Sequence, residues 1–503
     1  MKKTSVKLLS LICAAVLLAA AVCAEGVTLD GQLYSKTEEI YPGLTATDYY
    51  LEEGYTYSQN GPQNLRVLEF SPKNSELSLD VVMAGEVGAK KTVTDIVDEF
   101  NKTNTENKKV VAAVNGDLWM MAQYHSRVEG SGTVFNGCSD AVVKKELCVP
   151  RGTNICDGEI ISSQNMQKET PYEEMAESFG ITSDGEPLIG NLRVKILLTN
   201  ETAGTKGFYA DGLNRLPADN AIVVYSDKGP TSNYCLDDAY EIVIDCDYDY
   251  TVCQNANIKG RVTAISKPGE ERPSMKPNRF IITARGSKLS KLEGFAVGDE
   301  VSLAVGLSDS YGNTDKWQTV TEAVGGHCVV LRNGEDVNRG NFRYDPMTLI
   351  GFKADGTVVI LVNDGRQSWY SAGMNRSLFD ELGKDLGIDT LFLLDGGGST
   401  TLVELTEEGY ALKNRPSDNA TEETLGTERA VINAVLISAK KKETATVTMG
   451  DIDNDGKINS KDSNLLESII SGTYDECAAA DMNSDGKYNS SDSAEMKKIL
   501  SGS

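Results

Sequence analysis

Short apolar runs bounded by Gly, Asn and Asp recur along most of this 503-residue chain. The runs at 65–70, 77–83, 110–114, 221–225, 240–244, 280–283, 301–305, 328–331, 357–362, 391–394 and 430–437 read as strands. Helical spacing is rarer. It appears at 92–100 and at 377–386, where the second pattern closes at Gly387. The pattern predicts an α+β fold: a large strand-rich domain, followed by a small all-α module at the C-terminus.

The first residues read differently. Lys2, Lys3 and Lys7 precede an apolar run at 8–22, and Val22-Cys23-Ala24 offers small residues for cleavage. Residues 1–24 are therefore expected to be a signal peptide, and the protein to be secreted. No later stretch is long and apolar enough for a membrane span. The expected plan is a domain at 25–439, with 150–320 a sub-domain or insertion, then a linker at 440–449 and a module at 450–503.

Composition narrows the function. A formal net charge of −25 argues against nucleic-acid binding, which needs a basic face. Cys138, Cys148, Cys156, Cys235, Cys246, Cys253, Cys328 and Cys477 follow the cleavage site. Export permits disulfides among them, but none are spaced as a zinc ribbon. With 2 histidines, His125 and His327, a three-histidine zinc site is excluded.

The clearest repeat is C-terminal. Asp451, Asp453, Asp455, Lys457, Asn459 and Asp462 occupy positions 1, 3, 5, 7, 9 and 12 of one loop. Asp481, Asn483, Asp485, Lys487, Asn489 and Asp492 repeat the set. Oxygen donors at this spacing suit Ca2+, one ion per loop, with each lysine offering its carbonyl. Gly456 and Gly486 take the turning position. Leu466, Ile469 and Ile470 after the first loop are matched by Met496, Ile499 and Leu500 after the second, predicting two packed helices. The segment resembles the type I dockerin. That resemblance implies a cohesin partner on a scaffoldin, as in a cellulosome, with selectivity at Ser460-Lys461 and Ser490-Ser491.

In the large domain, polar clusters end or precede apolar strands. They are Asn115-Gly116-Asp117, Asn363-Asp364-Gly365-Arg366-Gln367, Asp395-Gly396-Gly397-Gly398-Ser399-Thr400 and, before 430–437, Asn414 to Asp418 with Glu428-Arg429. Glycine amides and arginine forks suit a phosphate, and carboxylates suit acid, base or nucleophile work. Each cluster alone could be only a turn or an ion pair.

The ordered set resembles the phosphodiester glycosidase family, from about Tyr41-Pro42-Gly43 to Val435-Leu436-Ile437. That resemblance implies hydrolysis of a sugar-1-phosphodiester, with no cofactor expected in this domain. Asp395 is the leading nucleophile or base, followed by Asp364 and Glu428. Arg366, Arg429, Gly396, Gly397, Gly398, Ser399 and Thr400 are expected on the phosphate side, Asn115 and Asp117 on the sugar side, and Asp418 among the substrate-binding residues. Two departures stand out. Met347 occupies the place of a usual arginine, with Arg343 a candidate to compensate, and Leu118-Trp119 stands where relatives often carry two phenylalanines. The alternatives are a non-catalytic glycan-binding component of the same scaffold, and a cell-surface polysaccharide assembly factor.

Overall fold

The computed structural model describes residues 29, 32–54, 56–73, 76–120, 149–164, 177–215, 220–230, 238–337, 343–441, 448–453, 455–474 and 477–501. The chain divides into two units, Met1–Lys440 and Lys441–Ser503. His125, Cys138, Cys148, Cys235 and the expected signal peptide lie outside the described residues.

The first unit is strand-rich. One 8-stranded sheet runs in the order Gln32–Tyr41, Leu44–Leu51, Gln63–Phe70, Val358–Asn363, Met347–Phe352, Thr390–Gly396, Cys328–Arg332, Glu335–Asp336. A 5-stranded sheet runs Gly409–Leu412, Leu402–Thr406, Lys108–Asn115, Asn433–Lys440, Leu77–Met83. The two sheets face one another, because side chains alternate along each strand. Val358, Ile360 and Val362 share a core with Val114, Val435 and Ile437 of the other sheet. The side chains between them, Val359 and Leu361, pack outward.

A helix covers each outer face. Helix α1 (Val93–Thr103) starts where the Thr92 side chain accepts from Asp95 N, and it buries Val93, Ile96 and Val97. These pack on Val110, Ala113, Val403, Ala434 and Leu436 of the 5-stranded sheet. Helix α2 (Arg376–Asp385) is capped by Asn375 and lays Phe379 and Leu382 on Leu391, Leu393 and Leu361. Gly387, with φ +70, ends it as the sequence suggested. The result is helix, sheet, sheet, helix. Each fully buried Leu or Val adds roughly 1.5–3 kcal/mol.

A third, 12-stranded sheet comes from chain between Asn154 and Gly325 and has its own core, including Leu192, Ile242, Phe280, Leu303 and Trp317. Phe179, Ile181, Ile189 and Val324 carry its edge into the central core. Cys156, Cys246, Cys253 and Cys477 are free thiols.

The strand expected at 430–437 begins later, at Asn433, because Val431 bridges to Lys91 instead. Sequence reading also missed Gln32–Tyr41, the long Pro187–Asn200, Asn257–Ser266 and Met347–Phe352.

The second unit is helical. Helix α3 (Ser460–Ile470) and helix α4 (Ser490–Ser501) follow the two acidic loops. Leu466, Ile469 and Met496 are buried with Ile452 and Ala480. Ile499 and Leu500 are not: they stay 48% and 40% exposed. The match to Ile469 and Ile470 therefore fails, because Ile452, Ala479 and Ala480 close that small core first. No helix among the described residues is long and apolar enough to cross a membrane.

Candidate functional site

Strand ends meet at one edge of the sandwich. Met347 pairs with both Asn363 and Gly396, and Ala434 with Asn115, so these positions are neighbours by register. Asn115 is fully buried and clasps them together. Its Nδ2 donates to the Asp395 carbonyl at 2.9 Å, and its Oδ1 accepts from Thr348 Oγ1 at 2.6 Å and Thr401 N at 3.1 Å. The Asp395 amide donates to the Gly116 carbonyl at 3.0 Å.

The glycine run after Asp395 is pinned by Gly397 N donating to the Pro346 carbonyl at 2.7 Å. A Cβ on Gly397 would lie 2.8 Å from Arg366 Nη2, and one on Gly398 only 2.1 Å from Arg429 Nη2. Glycine is required here so that two guanidiniums can press on the loop. A carboxylate orients each of them. Arg366 Nε donates to Asp345 Oδ1 at 2.7 Å, and Arg429 Nε and Nη2 donate to Asp418 Oδ2 and Oδ1 at 2.8 Å. Arg366 itself takes a left-handed conformation, φ +59, to turn back toward the loop. Pairs this exposed add little stability, so their effect is chiefly positional. Ser399 Oγ, Thr400 Oγ1 and Thr401 Oγ1 are buried without hydrogen-bond partners, at a cost of about 1–3 kcal/mol each that a polar ligand could offset.

Three carboxyl groups around this edge are raised by burial. Asp395 is pushed up to about 6, although the nearby Ser399 hydroxyl, the Gly396 amide, Arg429 and Arg151 favour its charge. Ser399 Oγ acts there by proximity and lacks good hydrogen-bond geometry. Asp364 is pushed up to about 7 by burial, against the Arg415 amide, Asn414 and Tyr370. Both of its oxygens accept from Arg415 N at 3.0 Å. Asp117 also rises to about 7; Asn154 and Gly152 N donate to its Oδ2 at 3.0 and 2.8 Å. Its Oδ1 is buried and unpartnered. Carboxyls that stay protonated near neutrality are suited to proton transfer.

Asp395, Arg366, Arg429, Asp418, Asn115 and Gly396 to Thr400 thus come together, with Asp117 near enough to Asp395 for their charges to oppose. Asp364 follows a strand separated from that of Asp395 by Met347–Phe352, and it is engaged by the Arg415 loop. Glu428 is turned elsewhere: it accepts from Thr94 N at 2.9 Å and Thr94 Oγ1 at 2.8 Å, anchoring the first turn of α1. His327 contacts Cys328 Sγ at 3.2 Å. Met347 lies against Gly396, where a Cβ would be 2.3 Å from its sulfur. Sequence reading missed Asp345, which aligns Arg366, and Arg151, whose charge acts on Asp117 and Asp395. Asp345 had a weak signal in the Asp-Pro step before Met347; Arg151 had none.

In the second unit, ligand atoms of Asp451, Asp453 and Asp462 lie within 4.8 Å of one another. Asp455 N and Gly456 N donate to Asp451, and Ile452 N and Asn459 N to Asp462. The second loop repeats this: Asp485 N and Gly486 N donate to Asp481, and Asn489 N to Asp492. Asn459 and Asp462 also form the capping box of α3, so the residues spaced for a cation also start the helix. Lys461 pairs with Asp453 at 2.5 Å. An all-oxygen donor set of this kind fits Ca2+.

Comparison with known proteins agrees with both halves. Residues 253–438 match the phosphodiester glycosidase family, and residues 449–501 match the type I dockerin domain. Among solved structures, a Synechocystis protein aligns with TM-score 0.54 and 15% identity, covering 81% of this chain and 64% of that one. A Burkholderia pseudomallei protein described as exported aligns with TM-score 0.59 and 15% identity, covering 82% of this chain and 97% of that one. The zebrafish N-acetylglucosamine-1-phosphodiester α-N-acetylglucosaminidase catalytic domain, auto-inhibited by its pro-peptide, aligns at TM-score 0.37 and 12% identity, over 80% of this chain and 87% of that one. No curated protein aligns significantly with the chain. This chain carries a domain of the phosphodiester glycosidase family followed by a type I dockerin domain.

Proposed function

We propose that the large domain hydrolyses a sugar-1-phosphodiester to free sugar and a phosphomonoester. The observation that carries this reading is the glycine loop pressed between Arg366 and Arg429, each aligned by an aspartate, directly after half-buried Asp395. The arginines and loop amides hold the phosphate. Asp395 takes a proton from water as the water oxygen bonds to the anomeric carbon. The bond from that carbon to the bridging oxygen breaks, and its electron pair leaves with the phosphate. A phosphomonoester is a good leaving group, so the larger demand is stabilising positive charge on the sugar. Asp117, whose Oδ1 is unpartnered, stands on the sugar side, and Asn115 fixes the backbone of Asp395 from behind.

The protein is exported, and its dockerin takes up two Ca2+ ions through the residues named above and docks on a scaffoldin cohesin. One observation favours a second reading, glycan binding without turnover: Met347 fills the space on Gly396 with a neutral thioether. The deciding experiment is a screen of the purified protein against α- and β-linked sugar-1-phosphodiesters, following phosphomonoester release, with Asp395→Asn as control. Full activity in Asp395→Asn removes the assignment. Binding without release by the wild type selects the second reading.

A further inference from the structure

The phosphate-binding arginine does not stand alone. Asp345 holds Arg366 with one carboxylate oxygen and Arg343 with the other, at 2.7 and 2.9 Å. Arg429 and Asp418 form a balanced pair, whereas two arginines on one aspartate leave an excess positive charge. The Arg343 side chain is 78% exposed, so that excess faces solvent, unusual placement in a chain of formal net charge −25. Asp345 and Met374 exchange backbone hydrogen bonds, both at 3.3 Å, which binds the 343–345 segment to the 367–374 loop. Each segment exposes one aromatic ring: Tyr344 at 43% and Trp369 at 44%. Arg415 adds nothing to this rim. Its guanidinium donates to the Thr421 and Thr424 carbonyls and lies over the Tyr370 ring.

Resting on the reading above, we propose that this rim is a second subsite, and that the ligand is a polymer of sugars joined by phosphodiesters. One phosphate occupies the glycine loop, the next meets Arg343, and the sugar between them lies against Tyr344 and Trp369. A single-phosphate substrate would leave the outer guanidinium and both rings unused. A neutral glycan would gain nothing from Arg343. Repeating negative charge interleaved with sugar rings matches the order of groups on the protein.

The test uses the wild-type protein and probes in which methylene replaces the bridging oxygen, so that nothing is hydrolysed. The first is a single glycosyl C-phosphonate, and the second is a short oligomer of the same unit. Calorimetric titration is expected to show the oligomer binding at least tenfold more tightly. Arg343→Gln should weaken the oligomer about three- to fivefold more than it weakens the single unit at low salt. Of the 3 tryptophans, Trp317 is buried and Trp119 is partly covered, so a fluorescence change specific to the oligomer should vanish in Trp369→Phe. Equal affinity for both probes, or equal weakening of both by Arg343→Gln, overturns the second subsite and leaves the hydrolase reading standing. Binding of neither probe overturns both.

Discussion

Thr94 gives Glu428 both of its donors, the amide at 2.9 Å and the hydroxyl at 2.8 Å. A carboxylate at a helix N-terminus satisfies otherwise unpaired amides and complements the helix dipole. The proximity of Glu428 to Arg429 in sequence therefore says nothing about catalysis. Glu428→Gln should lower stability by about 1–2 kcal/mol and leave turnover within about threefold. Denaturant unfolding beside a rate assay checks this. A rate loss above a hundredfold at unchanged stability would return Glu428 to the chemistry.

Gly398→Ala puts a methyl group 2.1 Å from Arg429 Nη2 and 2.2 Å from Asp418 Oδ1. The pair must part or the loop must shift. Activity should fall at least about a hundredfold, since charge stabilisation by preorganised donors is steep in position. Circular dichroism should stay native. Asp418→Asn, which only loosens Arg429, should raise KM more than it lowers kcat.

Burial raises Asp395, Asp364 and Asp117 above the ordinary carboxylate range, to about 6, 7 and 7. The unfolded chain releases these protons near pH 4, while the folded chain keeps them to higher pH. Stability should therefore fall as pH rises from about 4 to 7. Asp117→Asn should reduce that slope, with an effect on the order of 2–4 kcal/mol at pH 8. Activity runs the other way on its acid side: it should rise through about pH 6 as Asp395 ionises. Urea midpoints and a pH–rate profile read the two effects separately.

Cleavage between the anomeric carbon and the bridging oxygen places the water oxygen in the sugar. Turnover in oxygen-isotope-labelled water should therefore label the free sugar and leave the phosphomonoester unlabelled by mass spectrometry. Label in the phosphate would mean attack at phosphorus, and Asp395 would need a different role.

Asp462 takes hydrogen bonds from Ile452, Asp453 and Asn459 amides and caps α3 through the last of these. A unit with so small a core is expected to draw much of its stability from bound metal. Chelation should abolish the helical signal of the isolated C-terminal segment and any cohesin binding, and Ca2+ should restore both. Asp462→Ala should prevent restoration in the first loop.

Much of this was legible in the sequence. Buried strands such as Val358–Asn363 and Thr390–Gly396 advertise themselves because both faces are apolar. Asn257–Ser266 does not, since its side chains alternate outward and its pairing comes from distant chain. The clusters around Asn115, Asp395 and Arg429 were visible as residues, but their closeness depends on register. Asp345 showed only through its Asp-Pro step, and Arg151 not at all, because orienting a neighbour leaves no local pattern. The bond from Thr94 to Glu428 was hidden for the mirror reason: adjacency to Arg429 in sequence does not fix which way a side chain turns.

The Asn115 amide belongs to the 5-stranded sheet yet bonds to Asp395 and Thr348 of the 8-stranded one. The edge that carries Asp395 is thus also a seam between the two halves of the sandwich. Such a centre has no gentle way to degrade. On heating, function should persist almost unchanged and then vanish in one step together with the fold.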